Sequence, residues 1–208
     1  MSTVSVADAG TSVRAERVDQ KLDLYWRPLG AGGRSVRLNG RVFEAIEAFR
    51  DRRPQRALYH AGLEVHSDGA RFVVEFAPVP KDVGGDRGVV VKGPVGSRVL
   101  RRFRLFNYEL RCWRDGVIPD VAEAVASPLR LSDDPATVRR VLELAPSVPP
   151  LVWGRDELDT GEMWTSNSAI SWLLVRSGLA TELVALPPRG RAPGWQAGII
   201  AARGDSGY

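Results

Sequence analysis

Two histidines and two glutamates fall close together in "ALYHAGLEVHSDGARFVVEFAPVP", Ala57 to Pro80. Two runs of alternating apolar and polar residues flank Asp68-Gly69, the pattern of a β-hairpin with a two-residue turn. Side chains alternate faces along a strand. His60, Gly62, Glu64 and His66 therefore share one face, and Tyr59, Ala61, Leu63 and Val65 share the other, which can enter a core. A two-residue turn pairs Ser67 with Ala70 and His66 with Arg71; carried outward, it sets Gly62 opposite Glu75. Glu75 then lies on the histidine face, diagonal to His60. Diagonal Cβ atoms are roughly 7–8 Å apart, within reach of long side chains, and Gly62 has no side chain to block the way. A one-residue slip would send Glu75 to the other face. A histidine backed by a carboxylate is the base and orienter of a nucleophilic triad. Glu64 competes with Glu75 for the orienter role. His66, nearer the tip, either lines the mouth of a site or stands in solvent.

The missing nucleophile has its best candidates in "GEMWTSNSAISWLL", Gly161 to Leu174. This stretch reads as the entrance of a buried helix running from about Ser166 to Ser177, with Gly178 beyond it. Free N–H groups and the positive dipole end at such an entrance favour developing negative charge. Ser166 and Ser168 both qualify as nucleophiles, and both also qualify as caps, because serine is a preferred N-cap. Asn167 adds an amide beside them. Trp164 either walls a pocket or fills the core. Arg155 and Asp156 in the charged loop "WGRDELDTGEMW" either bind the carboxylate or amine of a substrate or pair with each other. Arg191 and Trp195, in the tail, belong to a candidate lid.

The string "HAGLEV…DGARFVVEFAP" resembles the histidine hairpin of circularly permuted NlpC/P60-type, papain-like proteins, the group that holds the lecithin retinol acyltransferase-like and PPPDE-type families. In that order the histidine strand comes first, and a later helix opening with an Asn-Cys or Cys-Asn pair supplies the nucleophile. "TSNSAISWLL" is similar to the second motif, with Ser166 where the family has cysteine. The resemblance covers about forty residues in two pieces. It implies a permuted papain-like core, with Ser166 as nucleophile, His60 as base and Glu75 as third polar residue, the position often held by a second histidine in the acyltransferase-like members. A thiol can be activated by histidine alone, whereas a serine needs a well-placed base and an oxyanion hole. Serine here therefore means either a serine-type hydrolase or acyltransferase, acting on an amide or ester of a peptide or small molecule, or a domain that has lost chemistry and binds a ligand or protein.

The elements that must position these residues follow from pattern. Leu22–Pro28 reads as a strand. "LNGRVFEAIEAFRDRRP" (38–54) reads as a helix with Val42, Phe43, Ile46 and Phe49 at helical spacing. Arg98–Trp113 reads as a longer strand pair or a strand leading into irregular structure, with arginines on its wet face, Ile118–Pro128 as a short helix, and "SDDPATVRRVLELAPSVPP" as a helix capped by Ser132 or Asp133. The tail, with its prolines and glycines, reads as a loop ending in a small strand. The expected whole is α+β: a small antiparallel sheet packed against helices, one domain over 21–208 after a flexible segment of about twenty residues.

The chain has 208 residues, 44% hydrophobic and 26% charged, an ordinary globular balance. Its net charge of +4 comes from arginines scattered among acids. They lack the interleaved aromatics of a single-strand binder, so no nucleic-acid partner is expected. The single cysteine, Cys112, excludes an intrachain disulfide and a zinc–cysteine cluster, and its apolar surroundings suit a core residue. His60, Glu64 and His66 lie in one row along a strand without a recognised ligand spacing, so no metal is expected. "GGDRG" and "GPVG" lack the setting of a phosphate cradle, and no cofactor is expected. No stretch approaches the ~20 apolar residues of a membrane span, and the N-terminus has no apolar signal core; the expected location is cytoplasmic.

Overall fold

The computed structural model describes residues 19–29, 52, 54–79, 87–118, 121–181 and 184–204. The helix expected over 38–54 and nearly all of the expected N-terminal segment lie outside these residues.

Strands β1 (Lys21–Pro28), β2 (Ala57–Ser67), β3 (Ala70–Pro78), β4 (Val89–Pro94), β5 (Asn107–Arg114) and β6 (Leu129–Ser132) form one antiparallel sheet in the order β4-β5-β3-β2-β1-β6. A two-residue strand, β7 (Gly190–Arg191), pairs in parallel with the start of β2. Three helices, α1 (Pro135–Leu144), α2 (Ser166–Arg176) and α3 (Trp195–Gly204), complete the described residues. The fold is therefore α+β with an antiparallel sheet, as the pattern implied.

The hairpin follows the expected register: Ser67 pairs with Ala70, His66 with Arg71 and Leu63 with Val74. Asp68 and Gly69 both have positive φ, 53° and 77°, as the mirror-image turn that matches strand twist requires. The core forms where the alternation put it. Leu22, Leu24 and Trp26 of β1 and Ala61, Leu63 and Val65 of β2 are fully buried. They pack with Val138 and Val141 of α1 and with Ala169, Ile170, Leu173 and Leu174 of α2.

Four local expectations change. Residues 98–106 are two 3-10 turns, Arg98–Arg102 and Arg104–Phe106, and only β5 is strand. The arginine-rich run alternates too poorly to join a sheet, and none of its residues in those turns is buried. The helix expected over 118–128 is reduced to a single 3-10 turn, Val121–Glu123. The cap of α1 is Asp134, whose carboxylate accepts from the Thr137 N–H at 2.8 Å, rather than Ser132 or Asp133. The tail ends in a helix, α3, not a strand. Ala197, Gly198, Ala201 and Ala202 recur at helical spacing and make a small-residue face that lets α3 approach α2 closely.

That approach is closest at Gly198, where an added Cβ would overlap the Ser168 carbonyl oxygen and the Ser171 hydroxyl. Gly204, in the same helix, has open space around it. Gly198→Ala should therefore destabilise the protein by about 3 kcal/mol or more, as overpacking against fixed backbone does. Gly204→Ala should stay within about 0.5 kcal/mol of wild type, as surface changes do. Chemical denaturation of the two variants checks the pair.

Candidate functional site

β2 has two neighbours on the flank turned away from β1. Its ladder with β3 ends at Leu63–Val74, although both strands run on. Above that fork the side chain of Asn167 takes the place of a strand. Its Oδ1 accepts from the Ala61 N–H at 2.8 Å, and its Nδ2 donates to the Tyr59 carbonyl at 3.0 Å. His60 is the residue between those two. Backbone bonding groups lie in the plane of a sheet, so the first turn of α2 meets β2 edge-on at His60. Ser166 directly precedes Asn167. The helix start and the histidine strand, separated by about a hundred residues of sequence, thus meet at one junction.

The hydroxyl and amide cluster at this junction divides its labour. Thr165, not a serine, is the N-cap: its Oγ1 accepts from the Asn167 N–H at 3.1 Å. Ser168 completes the capping box by accepting from the Thr165 N–H at 2.9 Å, and its own hydroxyl donates to the Gly194 carbonyl at 2.7 Å. Thr165 Oγ1 and Asn167 Nδ2 both donate to the Pro193 carbonyl, at 2.8 and 3.0 Å. The Ser168 hydroxyl is thereby engaged on both sides, by Thr165 and Gly194. Ser166 is buried at the first helical position, and its hydroxyl carries none of these capping or stitching bonds.

His60 is paired across β1 with Arg27. Its Nε2 is buried with no hydrogen-bond partner. Burial first, and the Arg27 guanidinium second, push its pKa down to about 3. Burial thus favours the neutral form of the ring.

Glu75 does not orient it. The room above Gly62 that was expected to let Glu75 reach His60 is taken by Arg27, whose Nη2 lies 3.5 Å from a Cβ built on Gly62. The Glu75 carboxylate faces Arg111 Nη1 at 3.3 Å and Arg27 Nη1 at 3.9 Å. Arg111 Nη2 in turn contacts Glu109 at 3.2 Å, and Arg87 reaches Glu109 at 3.1 Å. Burial raises the Glu75 carboxyl, and the two arginines oppose the rise. Glu64 serves a histidine, but the distal one. Its Oε1 lies 2.9 Å from His66 Nε2, and its Oε2 accepts from Arg71 at 3.1 Å. His66 thus belongs to a surface pair near the hairpin tip.

The remaining candidates make contacts within the protein. Trp164 is buried, and its backbone pairs with that of Gly154 and Arg155. Arg155 and Asp156 do not bind each other. Arg155 Nε donates to the Gly96 carbonyl at 2.8 Å, and Asp156 folds its own loop by accepting from the N–H groups of Thr160 and Gly161. Trp195 is no lid: it opens α3 and packs on Trp26, ring centroids 5.1 Å apart. Burial pushes the Cys112 thiol up to about 11, in keeping with an inert side chain. Sequence reasoning missed the Asn167 bridge and Arg27. The one signal for the bridge was an amide at a helix start; for Arg27, a cation in an otherwise apolar strand.

Comparison with known proteins finds no matching family model, no matching curated protein and no matching solved structure.

The division of labour has a direct consequence for stability. Asn167→Ala strands the Ala61 N–H and the Tyr59 carbonyl and should cost about 2–4 kcal/mol. Ser168→Ala should cost about 1–3 kcal/mol on the same grounds, and Ser166→Ala, which breaks none of these bonds, should cost less. Glu75→Ala removes the buried carboxylate that faces both Arg111 and Arg27 and should cost up to about 3–5 kcal/mol, with Glu109 still holding Arg111. Urea titrations of the four variants test the ranking.

Proposed function

We propose that the protein is a hydrolase or acyl-transfer enzyme in which Ser166 attacks an amide or ester carbonyl and His60 is the base. The observation that carries this reading is the Asn167 bridge, which seats the start of α2 against the main chain on both sides of His60. Thr165 does the capping, so the Ser166 hydroxyl is not needed for it. The order, histidine strand first and nucleophile helix later, is that of permuted NlpC/P60-type proteins, and we propose the same core here.

In the reaction, Ser166 Oγ forms a bond to the substrate carbonyl carbon as its proton passes to a ring nitrogen of His60. The oxyanion is assigned to the Ser166 N–H, because those of Thr165, Asn167 and Ser168 serve the capping box. The imidazolium then returns the proton to the leaving amine or alkoxide, and water or an acceptor releases the acyl group by the reverse sequence. Among the described residues Glu75 does not steady the imidazolium, since it is engaged by arginines. The pair works as a dyad with a weak base.

The commitment of Glu75 also favours a second reading, a non-catalytic domain that binds a ligand or protein at the His60 junction. Fluorophosphonate labelling separates the two. The enzyme reading expects labelling in wild type and its loss in Ser166→Ala and His60→Ala, with Ser166→Ala still folded. It also fixes the pH profile. The active form of His60 is the unprotonated one, and its pKa is lowered from 6.5 to about 3. Labelling should therefore hold steady between pH 7 and pH 5, where an unperturbed histidine would lose most of its base form. No labelling in wild type at any pH would give the binding reading the field.

A further inference from the structure

The two 3-10 turns at 98–106 form the most apolar exposed feature among the described residues. Val99 is 69% exposed, Phe103 48%, Leu105 78% and Phe106 38%. They alternate with Arg98, Arg101, Arg102 and Arg104, and no acidic residue stands between Lys92 and Tyr108. Arg98 is drawn off to a carboxylate, Glu157 at 2.8 Å. The shape is held rather than collapsed. The Asn107 amide donates to the carbonyls of Arg101 and Phe103 at 2.9 and 2.8 Å, the Ser97 hydroxyl caps the first turn, and the Arg102 guanidinium sits 4.8 Å over the Phe103 ring.

We propose that this protrusion docks the protein on an anionic bilayer surface. Soluble proteins rarely hold out several large apolar side chains together unless a partner covers them. Charge complementarity chooses the partner. Arg101 and Arg102 suit phosphate, and Val99 and Leu105 suit the boundary between headgroups and acyl chains. A nucleic acid would take the arginines but has no use for two exposed aliphatic tips. No helix among the described residues is long and apolar enough to cross a membrane, so the contact is peripheral. It does not depend on Ser166 or His60.

The test is co-sedimentation of the full chain with sucrose-loaded vesicles. One set is phosphatidylcholine alone and the other includes phosphatidylglycerol. The protein should pellet with the anionic vesicles only, and less so in high salt. The double variant Arg101→Gln/Arg102→Gln should weaken binding about thirtyfold. Val99→Ser/Leu105→Ser should weaken it about tenfold or more. All four side chains are exposed, and unchanged thermal unfolding confirms that each variant is folded. Failure of wild type to bind anionic vesicles overturns the proposal. So does full-strength binding by Val99→Ser/Leu105→Ser, which would make the patch a generic polyanion site.

Discussion

A strand edge that loses its neighbour must find other partners for its N–H and C=O groups, because buried backbone groups left alone are costly. β2 meets this constraint above Leu63, where β3 departs. Asn167 answers it by presenting one acceptor and two donors in the geometry of a peptide group, to Ala61, Tyr59 and Pro193. Much of the site's architecture hangs on that exchange. It joins the histidine hairpin, the start of α2 and the segment before α3, three pieces far apart in sequence. Without it, α2 would rest on the sheet by apolar contact alone, which fixes depth but not position along a strand.

The same constraint explains the run of small polar residues at the helix entrance. Thr165, Ser168 and Ser171 send hydroxyls to the carbonyls of Pro193, Gly194 and Trp195. These bonds dock the chain onto α2 just where Gly198 lets the helices close up. Side chains that look like chemistry when read in a row are mostly stitching. The chemical reading is sharpened by this subtraction, because Ser166 is the member of the row left over.

Period-two alternation and the Asp68-Gly69 turn made the hairpin, its register and its core face legible, since both depend on neighbours in sequence. The helix beginning at Ser166 was legible for the same reason, down to its ending near Gly178. What escaped depends on partners distant in the chain. Arg27 comes from β1, and only the three-dimensional register sets it over Gly62 and against Glu75. Glu75 was rightly placed on the histidine face, but a longer and more strongly charged competitor claims it there. The tail was misread because prolines and glycines at 187–194 outweighed a small-residue helical pattern whose value appears only when α2 lies beside it.

The flank of β2 opposite β1 is covered in sections by β3, by one side chain and by the two residues of β7. The last two coverings both depend on the segment from Gly190 onward, since Pro193 holds Asn167 and β7 pairs with Ala57 and Leu58. A chain cut short before Gly190 would bare the start of β2 and remove one partner of Asn167. A bared strand edge is a template for pairing with another chain. The segment from Gly190 onward therefore covers a strand edge as well as filling part of the core.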